Sequence, residues 1–135
     1  MGYRIASSLT VPAALLCACA SGGGMYSQPY ALFEPAQFSP TADVRPAVVM
    51  KVDGTSRDIR NNDPVSPGQH TIELSIPGPR AMGDPQRETV AIEAKPCTRY
   101  LFGARRGGRT ADDWSAFLAG TEPIGECQKK FPDAK

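Results

Sequence analysis

The sequence contains few of the side chains that most often carry enzyme chemistry. Its 135 residues include one histidine and one tryptophan. Beyond the amino-terminal Cys17 and Cys19 it has only Cys97 and Cys127, and two thiols with a single histidine fall short of a structural zinc site. No serine lies in the glycine pattern of a nucleophile elbow. The Gly107-Gly108 pair lacks the strand-to-helix context of a phosphate-binding loop. We therefore predict a protein that is not an enzyme, with no catalytic residues, no metal and no cofactor.

Excess charge and long uninterrupted segments are also missing. Fifteen Lys and Arg residues against 14 Asp and Glu give a net charge of +1, whereas a nucleic-acid-binding domain is usually strongly basic. Thirteen glycines and thirteen prolines break the chain into short segments, which disfavours a helical bundle and favours strands. We therefore predict one small domain of short strands and no nucleic-acid partner.

The amino terminus has the pattern of a secretory signal. Arg4 supplies a positive charge, an apolar run follows over residues 5–16, and small residues come next. The run is shorter than the ~20 residues that span a bilayer, and it suits a signal peptide. Two alternatives stay open. Cleavage after Ala20 by the ordinary small-x-small rule would release a soluble periplasmic protein, and an uncleaved segment would form a short membrane anchor.

The stretch "LLCACA" resembles the signal of bacterial lipoproteins, which has Leu three residues before the modified cysteine and a small residue directly before it. Cys19 fits this pattern, whereas Cys17 follows the bulky Leu16. The resemblance implies a signal peptide over residues 1–18 and a lipid thioether on Cys19 that anchors the protein in a membrane. Because Ala20 stands where an inner-membrane retention signal has Asp, it implies the periplasmic side of the outer membrane, with the inner membrane as the alternative.

The segment after the lipidation signal reads as a tether. Residues 19–46 begin with Cys19 and Ala20, continue with a serine and three glycines, and show no sustained period of two or 3.6. Their aromatic residues leave three interpretations open, namely packing on the domain, an inert spacer, or recruitment of a partner. These aromatics are Tyr26, Tyr30, Phe33 and Phe38. We predict the domain over residues 47–130 and a tail over residues 131–135.

Alternating apolar residues predict the strands of this domain. "AVVMKVD", "QHTIELSI", "ETVAIEA" and "TRYLFGAR" each alternate between an apolar and a polar face. Asp53-Gly54 is a hairpin turn signal. Without any βαβ alternation, this pattern predicts an all-β fold, a small antiparallel β-sandwich. Residues 110–120 fit either a capped helix or a closing strand, and we favour the strand because it would cover a sheet edge.

The two remaining cysteines, Cys97 and Cys127, predict one disulfide. An even pair in a small exported domain usually forms a bridge, and closing a loop of about 30 residues is worth about 3–4 kcal/mol of stability.

Two longer stretches resemble known bacterial families. "VDG", followed by turns and "SPGQHTIELSI", resembles the PEGA-type repeat, a small β-domain of bacterial surface proteins. "KPCTRYLFGAR" with "EPIGEC" is similar to small uncharacterised lipoproteins of proteobacteria. The resemblance implies a PEGA-like or transthyretin-like sandwich in the cell envelope, and it brings no catalytic residues with it.

Two groups of residues remain as candidates for a role. His70 lies at a strand start on the apolar face, so we interpret it as structural rather than as a catalytic histidine with the nearby Ser66 and Asp63 as partners. A turn at Gly107-Gly108 would place three guanidinium groups at one exposed tip, where they could bind an acidic partner or anionic head groups. These are Arg105, Arg106 and Arg109.

These observations predict a lipid-anchored, non-catalytic envelope protein that presents a β-sandwich interaction module to a protein partner in the periplasm. A sandwich that binds glycan or cell wall is the alternative, and aromatic residues exposed over one sheet face would favour it. A soluble periplasmic inhibitor is a third class, which Cys19 argues against.

Overall fold

A computed structural model describes residues 24–39, 41, 43–57, 62–78, 84–107 and 113–134. Within these ranges the chain forms eight strands and one short helix. They are β1 (Ala31–Pro35), β2 (Val44–Pro46), β3 (Val48–Val52), β4 (Thr55–Ser56), β5 (Gly68–Ile76), β6 (Gln86–Ala94), β7 (Thr98–Arg106), β8 (Trp114–Pro123) and α1 (Gly125–Lys130). The predicted signal peptide, Cys17 and Cys19 lie outside the described residues.

The strands form two sheets. In the first sheet β7 is central, with β8 on one side and both β1 and β2 on the other. The second sheet has the order β4-β3-β5-β6. Strand neighbours pair antiparallel except β1 and β7, which are parallel. The prediction of an all-β, sandwich-like domain is confirmed.

The core follows the predicted alternation. In β5 the side chains of Ile72, Leu74 and Ile76 are buried, and the residues between them face outward. Tyr100 and Phe102 of β7 are buried in the same way from the first sheet. A strand buries every second side chain because successive side chains point to opposite faces, so these runs could be assigned from sequence alone.

The domain begins earlier than we predicted. Residues 31–35 and 44–46 belong to the first sheet, although both lie in the predicted tether. Phe33 of β1 is only 6% exposed and packs in the main core. Among the three interpretations of the tether aromatics, Tyr30 and Phe33 therefore fit packing on the domain. The signal was missed because β1 is a short strand held by β7, about 67 residues away in sequence.

The described part of the ambiguous segment 110–120 is a strand. β8 starts at Trp114 and pairs with β7 as far as Pro123, with an irregularity between Leu118 and Gly120. Trp114 is buried in the core, and Ala116 packs against it. Leu118 faces the same side but remains 43% exposed. The preference for a closing strand is therefore confirmed from Trp114 onward.

A second apolar cluster forms at the end of the domain where the described chain begins. The predicted disulfide is present, with the Cα atoms of Cys97 and Cys127 5.2 Å apart. It fastens α1 to the start of β7. The other members of this cluster are Tyr30, Leu32 and Ile124, with Phe131 packed against them.

Candidate binding cleft

A cleft of about 500 Å³ opens between β1 of the first sheet and β3 of the second. Its floor is apolar. Phe33, Val49, Val52 and Val65 are buried there, and Val48 is half-buried. The remaining apolar lining residues are Pro35, Ala36, Phe38 and Pro46.

The path of the chain between the two sheets creates this space. The backbone N–H groups of Ala36 and Ala47 both donate to the carbonyl oxygen of Phe102, at 2.8 and 3.1 Å. The chain that follows β1 therefore departs from β7 and returns to it at the same residue of β7. It then crosses to the second sheet as β3. The side chains on this excursion line one wall of the cleft, and β3 supplies the other wall.

Polar side chains at the rim of the cleft are paired with one another. Arg57 Nη1 donates to the backbone carbonyl of Asp63 at 3.1 Å and lies 3.7 Å from its carboxylate. Asn62 Nδ2 donates to Glu34 Oε1. Glu34 also forms an ion pair with Arg99, at 3.2 Å. These pairings neutralise the charges at the rim within the domain. The rim therefore presents polar hydrogen-bonding groups that can orient a bound ligand, while the floor offers apolar burial.

His70 lies at the end of the core near the Asp53-Gly54 turn. Its Nε2 donates to the backbone carbonyl of Ser66 at 2.7 Å, and its Nδ1 bonds Asp53 Oδ2 at 2.6 Å. Carbonyl and carboxylate groups only accept, so both bonds form together when each ring nitrogen carries a proton. The ring contacts the Ser66 carbonyl rather than its hydroxyl, and Asp63 is engaged with Arg57. This geometry fits a packed, hydrogen-bonded histidine.

The Asp53 carboxylate accepts a second hydrogen bond besides the one with His70. Its Oδ1 accepts the backbone N–H of Thr71 at 2.9 Å. This backbone bond, followed by the bond to His70, holds the pKa of the Asp53 carboxyl below its usual value. Asp53 and Gly54 both have positive φ, 50° and 78°, as the two central residues of a tight hairpin require. The turn predicted from "DG" is therefore present.

The structure separates the arginines that we expected at one tip. β7 continues through Arg106, so Arg105 and Arg106 are strand residues that point to opposite faces. The Arg105 guanidinium lies 5.3 Å from the centroid of the Phe117 ring, and that of Arg106 lies 5.2 Å from Trp114. Each cation is therefore stacked on an aromatic ring. Arg109 lies outside the described residues.

An aromatic patch on the outer face of the first sheet escaped the sequence analysis. A Cβ atom at Gly103 would come within 2.8 Å of the Phe117 ring and 3.1 Å of the Phe38 ring. The two rings therefore cover this glycine, and Arg105 stacks on Phe117. The density of aromatics in "YALFEPAQF" was the available signal, but the partner strand could not be read from it.

Other kinds of site have no support in the described ranges. No group of three or more His, Cys, Asp or Glu side chains there is placed to hold a metal ion. None of the helices described is long and apolar enough to cross a membrane. No family model matches the chain, and no similar curated protein or solved structure was found.

Proposed function

We propose that this chain is a non-catalytic, lipid-anchored protein of the bacterial envelope, whose β-sandwich binds a segment of a partner protein in the cleft between β1 and β3. The observation that carries the proposal is the cleft itself, about 500 Å³ with an apolar floor. Binding clefts are commonly of this size, with mostly apolar walls and a few polar groups.

The lining favours a protein segment with apolar side chains. Burying one large apolar side chain on such a floor contributes about 1.5–3 kcal/mol. The charged rim groups Glu34, Arg57 and Asp63 already pair within the domain, so they suit the polar backbone of a bound segment better than an ionic ligand. Anchoring on Cys19 would keep the cleft at the membrane, where envelope partners are concentrated.

A photo-crosslinking residue at Gln37 tests the cleft. Gln37 is exposed and lines the cleft, while Ala91 on β6 is exposed at the far edge of the second sheet. In intact envelopes we expect a discrete crosslinked product from position 37 and none from position 91. Val48→Phe, which fills the cleft, should remove the product, and the matched Val90→Phe on β6 should retain it.

The crosslinked product also separates the alternatives. A product that yields, after tryptic digestion, a peptide of a second protein joined to the peptide that contains position 37 supports a protein partner. A product released by a peptidoglycan hydrolase supports the glycan or cell-wall alternative. Equal crosslinking from positions 37 and 91, or a product that Val48→Phe leaves unchanged, would contradict the cleft as the binding surface.

The anchor has its own test. Metabolic labelling with a palmitate analogue should mark the wild-type chain and Cys17→Ser but not Cys19→Ser. The opposite pattern would move the lipid to Cys17, and labelling of none of the three would favour plain secretion.

A further inference from the structure

The end of the domain that carries the disulfide also carries the most exposed large apolar side chains among the described residues. Met25 is 60% and Tyr26 is 49% exposed. Both stand within the first three residues that the structure describes. Contiguous exposed apolar patches mark protein or membrane contact sites, and Met25 and Tyr26 are neighbours in the chain.

Tyr26 is held in place by the rest of the domain. Lys130 Nζ of α1 donates to the Tyr26 carbonyl at 2.7 Å, and the Tyr26 ring meets the Tyr30 ring edge-on at 5.0 Å. Tyr30 is in turn bonded through its carbonyl to the N–H of Cys97, at 2.7 Å. The exposed pair therefore belongs to a surface built on α1 and the disulfide.

The distance to the proposed lipid is short. Five peptide units join Cys19 to Gly24, and they span at most about 18 Å even when fully extended. With the lipid of Cys19 in the bilayer, this end of the sandwich stays within reach of the head groups, whereas a tether of 28 residues would have left the domain free to move away.

We infer that Met25 and Tyr26, with the adjoining surface of α1, form a membrane-contacting face that rests in the head-group region of the bilayer. This inference rests on the lipid anchor of the proposed function. Tyrosine suits this position because its ring is apolar and its hydroxyl is polar, and tyrosines are enriched at membrane interfaces. The contact fixes the orientation of the sandwich, with the Arg106 end of β7 directed away from the membrane.

The charges around this face indicate that apolar contact holds it there. The exposed residues of α1 and the following turn include two bases, Lys129 and Lys130, and two acids, Glu126 and Asp133. Their charges cancel, so attraction to anionic lipid is not the main force. We therefore expect the contact to form on zwitterionic vesicles and to depend little on salt.

Tryptophan fluorescence provides the test. The wild-type chain has one tryptophan, Trp114, which is buried at the opposite end of the first sheet, so it serves as the matched control. Lipidated wild type and Tyr26→Trp are reconstituted in phosphatidylcholine vesicles with and without brominated acyl chains. We expect brominated lipid to quench Tyr26→Trp, with emission shifted to the blue, and to leave the wild type unquenched.

Two outcomes would overturn the inference. One is equal emission of Tyr26→Trp in brominated and plain vesicles, and the other is quenching of Trp114 in the wild type. If labelling shows that Cys19 carries no lipid, the anchoring proposal fails separately. In that case the same measurement on the unlipidated full chain, at high vesicle concentration, tests the membrane-contacting face by itself. Quenching of Tyr26→Trp would support this face, and absence of quenching would reject it.

Discussion

Asp53 joins a turn, a sheet and the core through one carboxylate. Its backbone adopts the positive φ of the hairpin, Oδ1 accepts from Thr71, and Oδ2 bonds His70. The sequence placed His70 on the apolar face of β5 and the turn at Asp53-Gly54. It could not pair the two residues, because they are 17 positions apart and their contact depends on the register between β3 and β5.

The interactions of Asp53 predict a loss of stability in acid. The pKa of this carboxyl is lower in the folded protein than in the unfolded chain, where it lies near 3.9. The stabilisation is therefore complete above that value and is lost as the pH falls through the folded pKa. Asp53→Asn should make the urea midpoint less dependent on pH below about 4.

Urea unfolding of the wild type and variants between pH 2 and 6 measures this effect. Asp133→Asn removes an exposed carboxyl from the C-terminal turn and should keep the acid dependence of the wild type. An Asp53→Asn variant with the same acid dependence as the wild type would show that the carboxylate does not contribute in this way.

At the scale of elements, strands with long local alternation were predictable and strands with distant partners were not. β5 and β6 each have nine residues and form one hairpin. β1 has five residues and is ordered by pairing with β7 and by an isolated bridge between Ala31 and Val65. The cleft escaped prediction for the same reason, because its walls come from segments that only the folded sheet arrangement brings together.

α1 depends on its surroundings rather than on its own sequence. It has six residues, and no side chain caps its amino terminus at Ile124. Isolated helices of this length are not stable in water, so packing of Cys127 and its disulfide to Cys97 hold the helix in place. This is why the sequence predicted the disulfide but not the helix.

We expect removal of the disulfide to destabilise the domain by about 3–4 kcal/mol, because the bridge closes a loop of about 30 residues. Guanidinium unfolding of Cys97→Ala/Cys127→Ala against the oxidised wild type measures the difference. Reduced wild type is the control and should unfold near the double variant. A change below about 1 kcal/mol would contradict a structural role for the bridge.

At the scale of the whole molecule, the two ends of β7 face different environments. Its first residue follows Cys97 in the disulfide cluster, and its last is Arg106. Nine residues in a strand rise by about 3.3 Å each, which places the two ends about 26 Å apart. If the disulfide end rests on the membrane, Arg105 and Arg106 lie beyond the head groups, so an acidic partner suits them better than lipid.

Changing Arg105, Arg106 and Arg109 together to Gln tests this arrangement. In lipidated Tyr26→Trp on anionic vesicles, we expect the triple change to leave quenching by brominated lipid and its salt dependence unaltered. Lys129→Gln on α1 is the control, because it leaves the balanced charges of the membrane end net negative and should therefore weaken quenching on anionic vesicles at low salt. Loss of stacking on Phe117 and Trp114 should cost about 0.5–1 kcal/mol for each ring, so thermal unfolding is measured alongside. If the folded triple variant shows weaker quenching than its parent, the arginines contribute to the contact with the head groups, which contradicts the proposed orientation.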